Sequence, residues 1–328
     1  MDSSKRLKPH DRLIKYTFGQ ELSASALLDG YLPETMRPDL ELKILEVVPG
    51  SFVDPQLSEL HTDLLYKVRF KGAPLYMYCL FEHQSTPDPW IGARILGYKS
   101  AIWRKLSQTK PKLAKLPPIY VLVVYSGRER WTAPLRWSET LEFPQDVSPD
   151  FLEMEVNFRY QLIDLSQLSA DEIRGDVAGR LTLSLMKAAL EDRVLEWLKE
   201  AAPLLKLVRE EQVTGMFEAL MRYLLTVDTS VSRENIFAAL EQSQSPELTQ
   251  QAMSIADQLI AEGIEKGMGL GLEKGMGLGL EKGRLEGEIR LLQKLLRLPQ
   301  SSTAELDAKS EVELQQLANE LQARLAKA

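Results

Sequence analysis

The stretch from residue 62 to residue 85 constrains the fold more than any other part of the chain. Residues 63–70 alternate polar and apolar side chains over most of their length, whereas residues 75–81 are almost wholly apolar. Alternation is typical of a half-buried strand, and a short continuous apolar run is typical of a buried central strand. Between them, residues 71–74 read KGAP, with glycine first in a two-residue loop as a type II′ turn prefers. The stretch therefore predicts a β-hairpin whose second strand lies inside a sheet.

Two acidic side chains stand at the open end of this hairpin. If Gly72 and Ala73 form the loop, Asp63 directly faces Glu82, with Cβ atoms roughly 5 Å apart. Like charges so placed are destabilising, so we expect a divalent cation between them, bound through carboxylate bonds of roughly 2.1 Å. Gln84 shares the Glu82 face because alternate residues of a strand point the same way. A one-residue slip through a bulge would turn Asp63 to the other face. The alternative is that both acids only end their strands in water.

The acids, the hairpin and the Glu-x-Gln spacing resemble the core of the PD-(D/E)XK nucleases. Short motifs between residues 9 and 171 resemble, in order, those of the Rpn family of recombination-promoting nucleases, also described as transposases. They are PHDRLIK at 9–15, SFVD at 51–54, TDLLY at 62–66, YCLFEHQST at 78–86, Arg94 with Tyr98, LPP at 116–118, YSG at 125–127 and YQLIDL at 160–165. The resemblance implies an α/β fold, a mixed sheet flanked by helices, and a DNA endonuclease that promotes recombination.

Two positions depart from the resembled pattern. Gln84 stands where the superfamily usually has lysine, and Ser126 stands where the resembled family is expected to have histidine. Glutamine can orient a water molecule or donate to a phosphate, but it cannot act as a cation or titrate as lysine does. Any role of that histidine is therefore absent from this chain.

The chemistry that these residues suggest is metal-dependent hydrolysis of a phosphodiester. Asp63 and Glu82 would bind Mg²⁺ or another divalent ion, and Gln84 would orient the attacking water. Arg94 and Tyr98 are four residues apart on a predicted helix and therefore share a face, which we expect to point at the site. Arg94 could hold the scissile phosphate or pair with Glu82. Lys15, on the first predicted helix, reads as surface charge.

Charge is distributed unevenly along the chain. The net charge is −7, which by itself argues against a nucleic-acid partner, but residues 94–136 contain ten basic residues and one acidic residue. Cations supply most of the affinity for a phosphate backbone. The segment therefore predicts a phosphate-attracting flank beside the acids, with a solvated helix and loop as the alternative.

The remaining chain divides by pattern into an α/β core and a helical extension. We expect a nuclease core at 1–170, a helical bundle at 171–262, a glycine-rich linker at 263–288 and an amphipathic helical tail at 289–328. Helices are predicted from Asp11 to about Leu28 and from Trp90 to about Leu106, with strands at 119–125 and 158–164. The strand at 119–125 should run parallel to the Glu82 strand after a helical crossover.

Residues 264–287 contain three copies of an eight-residue unit, beginning IEKGMGLG. With Gly263 just before it, the segment has glycine at nine positions, which costs a helix roughly 7 to 9 kcal/mol relative to alanine. The segment is therefore either a flexible tether, which we favour, or a helix whose glycine stripe packs against another helix. Residues 291–298 and 311–325 then predict two short amphipathic helices, which are suited to self-association or to binding a partner. A helix-turn-helix reader is weakly supported, because residues 311–328 hold only two cations.

Compartment and rival functions follow from the same residues. A single cysteine and the lack of an apolar leader or spanning segment predict a cytoplasmic protein without a membrane partner. A transposase would need a third acid, which the sequence does not offer convincingly. Hydrolysis by serine or cysteine is disfavoured by three histidines and no nucleophile elbow. A catalytically silent DNA-binding or adaptor protein, assembling through its C-terminal helices, remains the alternative to the nuclease.

Overall fold

The computed structural model describes residues 9–49, 62–82, 86–210, 215–227, 231–242 and 246–326. Five strands form one sheet in sequence order. They are β1 Glu46–Val48, β2 Thr62–Phe70, β3 Ala73–Glu82, β4 Ile119–Tyr125 and β5 Gln161–Asp164. β1, β2 and β3 pair antiparallel, and β4 and β5 continue the sheet parallel to β3. The mixed sheet with flanking helices confirms the predicted α/β class.

The β2–β3 hairpin forms as predicted, but its turn lies one residue earlier. Lys71 and Gly72 make the two-residue loop, with φ values of +49° and +77°. Two positive φ values define a type I′ turn, which matches the twist of the flanking strands. Asp63 consequently pairs with Leu80. The predicted direct opposition of Asp63 and Glu82 is therefore wrong.

The displaced turn leaves the face of Asp63 unchanged. Moving the loop by one residue changes the register by two, and side chains alternate with a period of two. Glu82 lies two residues beyond Leu80, so it shares the face of Leu80 and of Asp63. The two acids are diagonal neighbours, for which Cα atoms are roughly 7 to 8 Å apart.

Helix α3, Ile91–Thr109, covers this face of the sheet and carries the predicted crossover from β3 to β4. Its buried positions fall at the helical spacing of Ile91, Ile95, Tyr98, Ile102 and Leu106. They pack on alternate residues of the central strands in one apolar cluster: Tyr76, Tyr78 and Leu80 of β3 with Ile119, Val121, Val123 and Tyr125 of β4. The start of α3 therefore lies beside the end of β3, where Glu82 is.

The opposite face is covered by the N-terminal helices α1, Pro9–Phe18, and α2, Glu21–Tyr31. The Phe18 ring stacks on Phe81 at 5.4 Å, and Tyr66 donates a hydrogen bond of 2.7 Å to the Phe18 carbonyl. The sequence predicts a single helix from Asp11, whereas the structure has two helices, α1 and α2, that are separated at Gly19. A Cβ there would lie 2.3 Å from the Lys15 carbonyl oxygen, so only glycine fits.

The later helices form a group that reaches α1. After the short α4, Pro149–Met154, they are α5 Val177–Leu190, α6 Val194–Glu210, α7 Met216–Thr226 and α8 Arg233–Gln242. Helices α5 and α7 pack on α1, α6 packs on α5, and α8 packs on α6. Thr17 and Thr182 share a buried hydrogen bond of 2.8 Å, and Tyr223 bonds the His10 ring at 3.0 Å. These contacts place α1 between the sheet and the later helices, within a first compact unit, Met1–Ala256.

The glycine-rich repeat lies within one helix, α9, Pro246–Leu295. Residues 263–280 are all exposed, and a Cβ built at any repeat glycine meets nothing within 4 Å. In the described part of the chain the repeat is therefore neither an irregular tether nor a helix packed through its glycines.

We expect alanine in place of Gly267, Gly275 and Gly283 to stabilise α9 by about 1 kcal/mol per position, because alanine loses less backbone entropy. Thermal melting followed by far-UV circular dichroism measures this. Gly30→Ala is the matched control, since its Cβ would lie 2.7 Å from the Arg174 Cβ, and it should destabilise. Unchanged helicity and melting in the triple variant would instead support a tether in solution.

The second compact unit, Asp257–Ala328, contains a small apolar cluster. Leu285, Ile289 and Leu292 of α9 pack against α10, Thr303–Asp307, and α11, Glu311–Leu325. Ser302 and Ser310 each form a capping box, which fixes where these two helices begin. The predicted helix at 311–325 is confirmed, whereas residues 291–295 belong to α9. None of the described helices combines the length and apolarity that crossing a bilayer requires.

Candidate active site

Glu82 ends β3 in a fully buried position. Its side chain is 1% exposed, and Oε2 accepts a hydrogen bond of 3.1 Å from Nη1 of Arg94. The same nitrogen donates to Oδ2 of Asp88 at 2.7 Å. A carboxylate can be buried at this depth because a guanidinium compensates its charge. The prediction that Arg94 points at the site is confirmed, and the contact observed is the ion pair with Glu82.

Asp63, the second residue of β2, lies on the same face of the sheet but lacks an ion pair like that of Glu82 among the described residues. Both of its carboxyl oxygens are buried, and neither has a hydrogen-bond partner among the described residues. Nη2 of Arg94 and the hydroxyl of Tyr78 are also buried without partners in the same part of the structure. An unsatisfied buried carboxylate is costly, so a group that binds these oxygens would gain affinity from relieving that cost.

The pKa of Asp63 records this environment. Burial raises the pKa of Asp63 to about 7, and the charge of Glu82 adds to the increase. The Tyr78 hydroxyl, Arg94 and Lys15 lower it, without offsetting burial. Tyr78 is thus close enough to act on Asp63, although the two do not meet the geometry of a hydrogen bond. In a metal-free protein near neutral pH, the Asp63 carboxyl is therefore partly protonated.

Sequence reasoning missed Tyr78 and Lys15 near Asp63, and Asp88 beside Arg94. Tyr78 reads as one more apolar strand residue, Asp88 as a loop residue and Lys15 as surface charge. Tyr98, by contrast, was expected at the site. Burial raises its pKa, with a further contribution from Asp63. A signal for Asp88 did exist, because an acid six residues before an arginine can meet it where a loop enters a helix.

Gln84, the third predicted catalytic residue, lies outside the described residues, as do His61 and His83. Ser126 can be placed. Its amide donates a hydrogen bond of 2.9 Å to the Glu82 carbonyl, directly after β4. The residue that stands where histidine was expected is therefore buried against the backbone of the Glu82 strand.

The basic segment does not form a single flank of the site. Arg94 lies at the start of α3, and Arg128 and Arg130 follow the end of β4. Glu82 is at the corresponding end of β3. Lys110 and Lys115 precede β4, toward the other ends of these strands. There the Tyr76 amide donates a hydrogen bond of 3.1 Å to the Pro118 carbonyl. Helix α3 runs from the end of β3 back to the start of β4. The basic residues of the segment therefore lie at both ends of these strands. The segment is therefore divided, and a phosphate-attracting flank stays a prediction.

The donor set fits a hard divalent cation. Two carboxylates on one face, one of them with both oxygens unsatisfied, supply the oxygen ligands that Mg²⁺ prefers, with waters completing the shell. No group of three or more His, Cys, Asp or Glu side chains with metal-binding spacing occurs in the described part of the chain. The site therefore offers two protein carboxylates and leaves open positions, as ions that act on phosphates require.

Comparison with known proteins gives a consistent family. Residues 8–235 match the family model described as "Putative transposase, YhgA-like". Recombination-promoting nuclease RpnA of Escherichia coli K12 is 27% identical over 266 residues, covering 80% of this chain and 87% of the relative. Recombination-promoting nuclease RpnD of Escherichia coli O157:H7 is 27% identical over 251 residues, covering 76% and 94%.

One relative carries a different name. The inactive recombination-promoting nuclease-like protein RpnE of Escherichia coli K12 is 28% identical over 271 residues, covering 81% of this chain and 86% of the relative. Resemblance alone therefore does not separate active members from inactive ones. A search of solved structures gave no significant match. The Rpn proteins are relatives to which this chain is similar. The family model covers more than half of the chain, and this protein therefore belongs to the family described as "Putative transposase, YhgA-like".

Proposed function

We propose that this protein is a Mg²⁺-dependent DNA endonuclease that promotes recombination. The single observation that carries the proposal is the pair of buried Asp63 oxygens without partners, on the same sheet face as buried Glu82. The printed names of two relatives, recombination-promoting nucleases, support the same reaction class. Because the name of one relative describes it as inactive, the proposal is tested on these carboxylates in this chain.

The roles of the residues follow from their positions. Asp63 and Glu82 would hold the ion, and Gln84, two residues further along the chain than Glu82, would orient water. When bound, Mg²⁺ lowers the pKa of a water and stabilises negative charge on the phosphate oxygens. Arg94 would pair with buried Glu82 and place a cation where a phosphate would enter. Asp63 would serve as a ligand in its carboxylate form, since a hard cation binds the ionised oxygens.

Plasmid nicking tests the proposal. We expect wild-type protein to nick supercoiled DNA with Mg²⁺ and not with EDTA. Asp63→Ala should lower the rate at least about 100-fold, because metal stabilisation of a transition state is worth several kcal/mol. Asp39→Ala is the control, since Asp39 pairs with Lys71 at the hairpin turn, the other end of β2. Equal nicking by wild type and Asp63→Ala would remove Asp63 from the mechanism.

Two alternatives give different results in this assay. An adaptor that assembles through its C-terminal helices would bind DNA without nicking it, as the inactive relative's name allows. A transposase would yield strand-transfer products and would need a third acid. Asp164 lies in the same row of the sheet as Glu82, two strands away and so roughly 10 Å distant. Its two oxygens already accept from Trp131 and Ser166, so the observations favour the nuclease.

A further inference from the structure

Asp88 holds an unusually fixed position for a loop acid. It lies between β3 and α3, and its side chain is 17% exposed. Oδ1 accepts a hydrogen bond of 2.8 Å from the backbone amide of Trp90, and Oδ2 accepts one of 2.7 Å from Nη1 of Arg94. Both carboxylate oxygens are thus used, one by the entrance of the helix and one by the arginine beside the site.

Arg94 is shared unequally between two carboxylates. Its Nη1 lies 2.7 Å from Asp88 and 3.1 Å from Glu82. Its Nη2 is buried and meets the geometry of a hydrogen bond with no acceptor in the described part of the chain. The guanidinium is therefore anchored on the Asp88 side and reaches Glu82 through a longer bond.

This arrangement bears on how Glu82 can accept a cation. An arginine and a metal ion compete for the same carboxylate, since each neutralises its charge. If Arg94 paired with Glu82 alone, the ion would have to displace a full buried ion pair. With Asp88 present, Arg94 has a second carboxylate to which it stays bound when Glu82 turns to the ion.

We infer that Asp88 is a positioning residue that restrains the Arg94 guanidinium and so keeps Glu82 available to the divalent cation; the inference rests on the proposed function. Asp88 need not touch the ion. Its effect on metal binding is exerted through Arg94, and that dependence separates it from a carboxylate that attracts the ion by charge alone.

A double-mutant cycle on metal affinity tests the inference. Mn²⁺ is titrated into wild type, Asp88→Asn, Arg94→Gln and the double variant, with free Mn²⁺ followed by electron paramagnetic resonance. Asparagine keeps an oxygen for the Trp90 amide and removes only the charge. We expect Asp88→Asn to weaken Mn²⁺ binding about 10-fold when Arg94 is present and no more than about 3-fold when residue 94 is glutamine, a coupling usual for contacting residues.

The control variant removes a negative charge from a part of the structure away from the site. Asp39→Asn, which removes one negative charge at the hairpin turn, should leave Mn²⁺ affinity unchanged. Equal weakening by Asp88→Asn in both backgrounds would overturn the positioning role and leave the nuclease proposal standing. No Mn²⁺ binding by any of the four proteins would overturn both. If Asp88→Asn does not fold, Asp88→Ser, which keeps an oxygen acceptor for Trp90, takes its place with the same expected pattern.

Discussion

Asp63→Asn is expected to be more stable than the wild-type protein at about pH 8 in EDTA, although it should not cleave DNA. Burial raises the pKa of Asp63 to about 7 in the folded chain, against 3.8 as its ordinary value. The folded state therefore retains a proton that the unfolded state loses, and wild-type stability falls as the pH rises from about 4 to about 7. The full shift corresponds to about 4 kcal/mol. Asparagine removes the charge but leaves a buried amide, so we expect a gain of about 2 kcal/mol.

Denaturant unfolding across this pH range, followed by tryptophan fluorescence, measures the effect. The variant should lack the fall in stability between about pH 4 and about pH 7 that the wild type shows. Added Mg²⁺ should stabilise the wild type and not the variant, because only the wild type binds it. Asp39→Asn, at an exposed ion pair, should keep the wild-type profile. Superimposable profiles for wild type and Asp63→Asn would show that the Asp63 carboxyl is not buried as described.

Glu82→Gln is expected to have the opposite effect on stability and the same effect on cleavage. The Glu82 side chain is 1% exposed and forms an ion pair with Arg94. Removing one partner of a buried pair leaves the other charge uncompensated, which costs about 3 to 5 kcal/mol. Because Arg94 keeps its bond to Asp88 at 2.7 Å, we expect the lower part of that range. Nicking should fall at least about 100-fold, since the variant loses a ligand for the ion.

Glu46→Gln is the matched control for this variant. Glu46 pairs with Lys67 at 2.8 Å but is 64% exposed, so the change should stay within about 1 kcal/mol. A higher free energy of unfolding for Asp63→Asn and a lower one for Glu82→Gln, measured in the same denaturant series without metal, would establish that the two carboxylates have different environments. A destabilised Asp63→Asn variant would contradict the role assigned to its unpartnered oxygens.

Much of the fold follows from local sequence. The apolar run at 119–125 becomes β4 with the predicted bounds, and the run at 75–81 becomes β3, which extends two residues further at its start and one, Glu82, at its end. Buried central strands need continuous apolar residues, and both runs supply them. The start of α3 follows from two prolines before Trp90, and α11 from the serine and glutamate that cap it. Gly19 shows the limit of such reasoning, since only the close approach of a carbonyl explains why α1 ends there.

Residues of the candidate site could be chosen from the sequence, but the way they face one another could not. Asp63, Glu82 and Arg94 could be chosen from their types and spacing, because carboxylates at strand ends beside a helical arginine suit metal and phosphate. Gln84 stays a prediction, as it lies outside the described residues. The direct opposition of the acids was wrong, because a glycine in a four-residue turn segment is compatible with two positions of the loop.

The sequence by itself determined which side chains share a face of the sheet, because the alternation of a strand survives a register change of two residues. Only the tertiary structure decided which oxygens find partners. The fold gives Glu82 and Asp88 a common guanidinium and leaves the carboxyl group of Asp63 buried without one. The physical reason is that burial and ion pairing depend on where a separate helix, α3, places Arg94, and no pattern within β2 or β3 encodes that position.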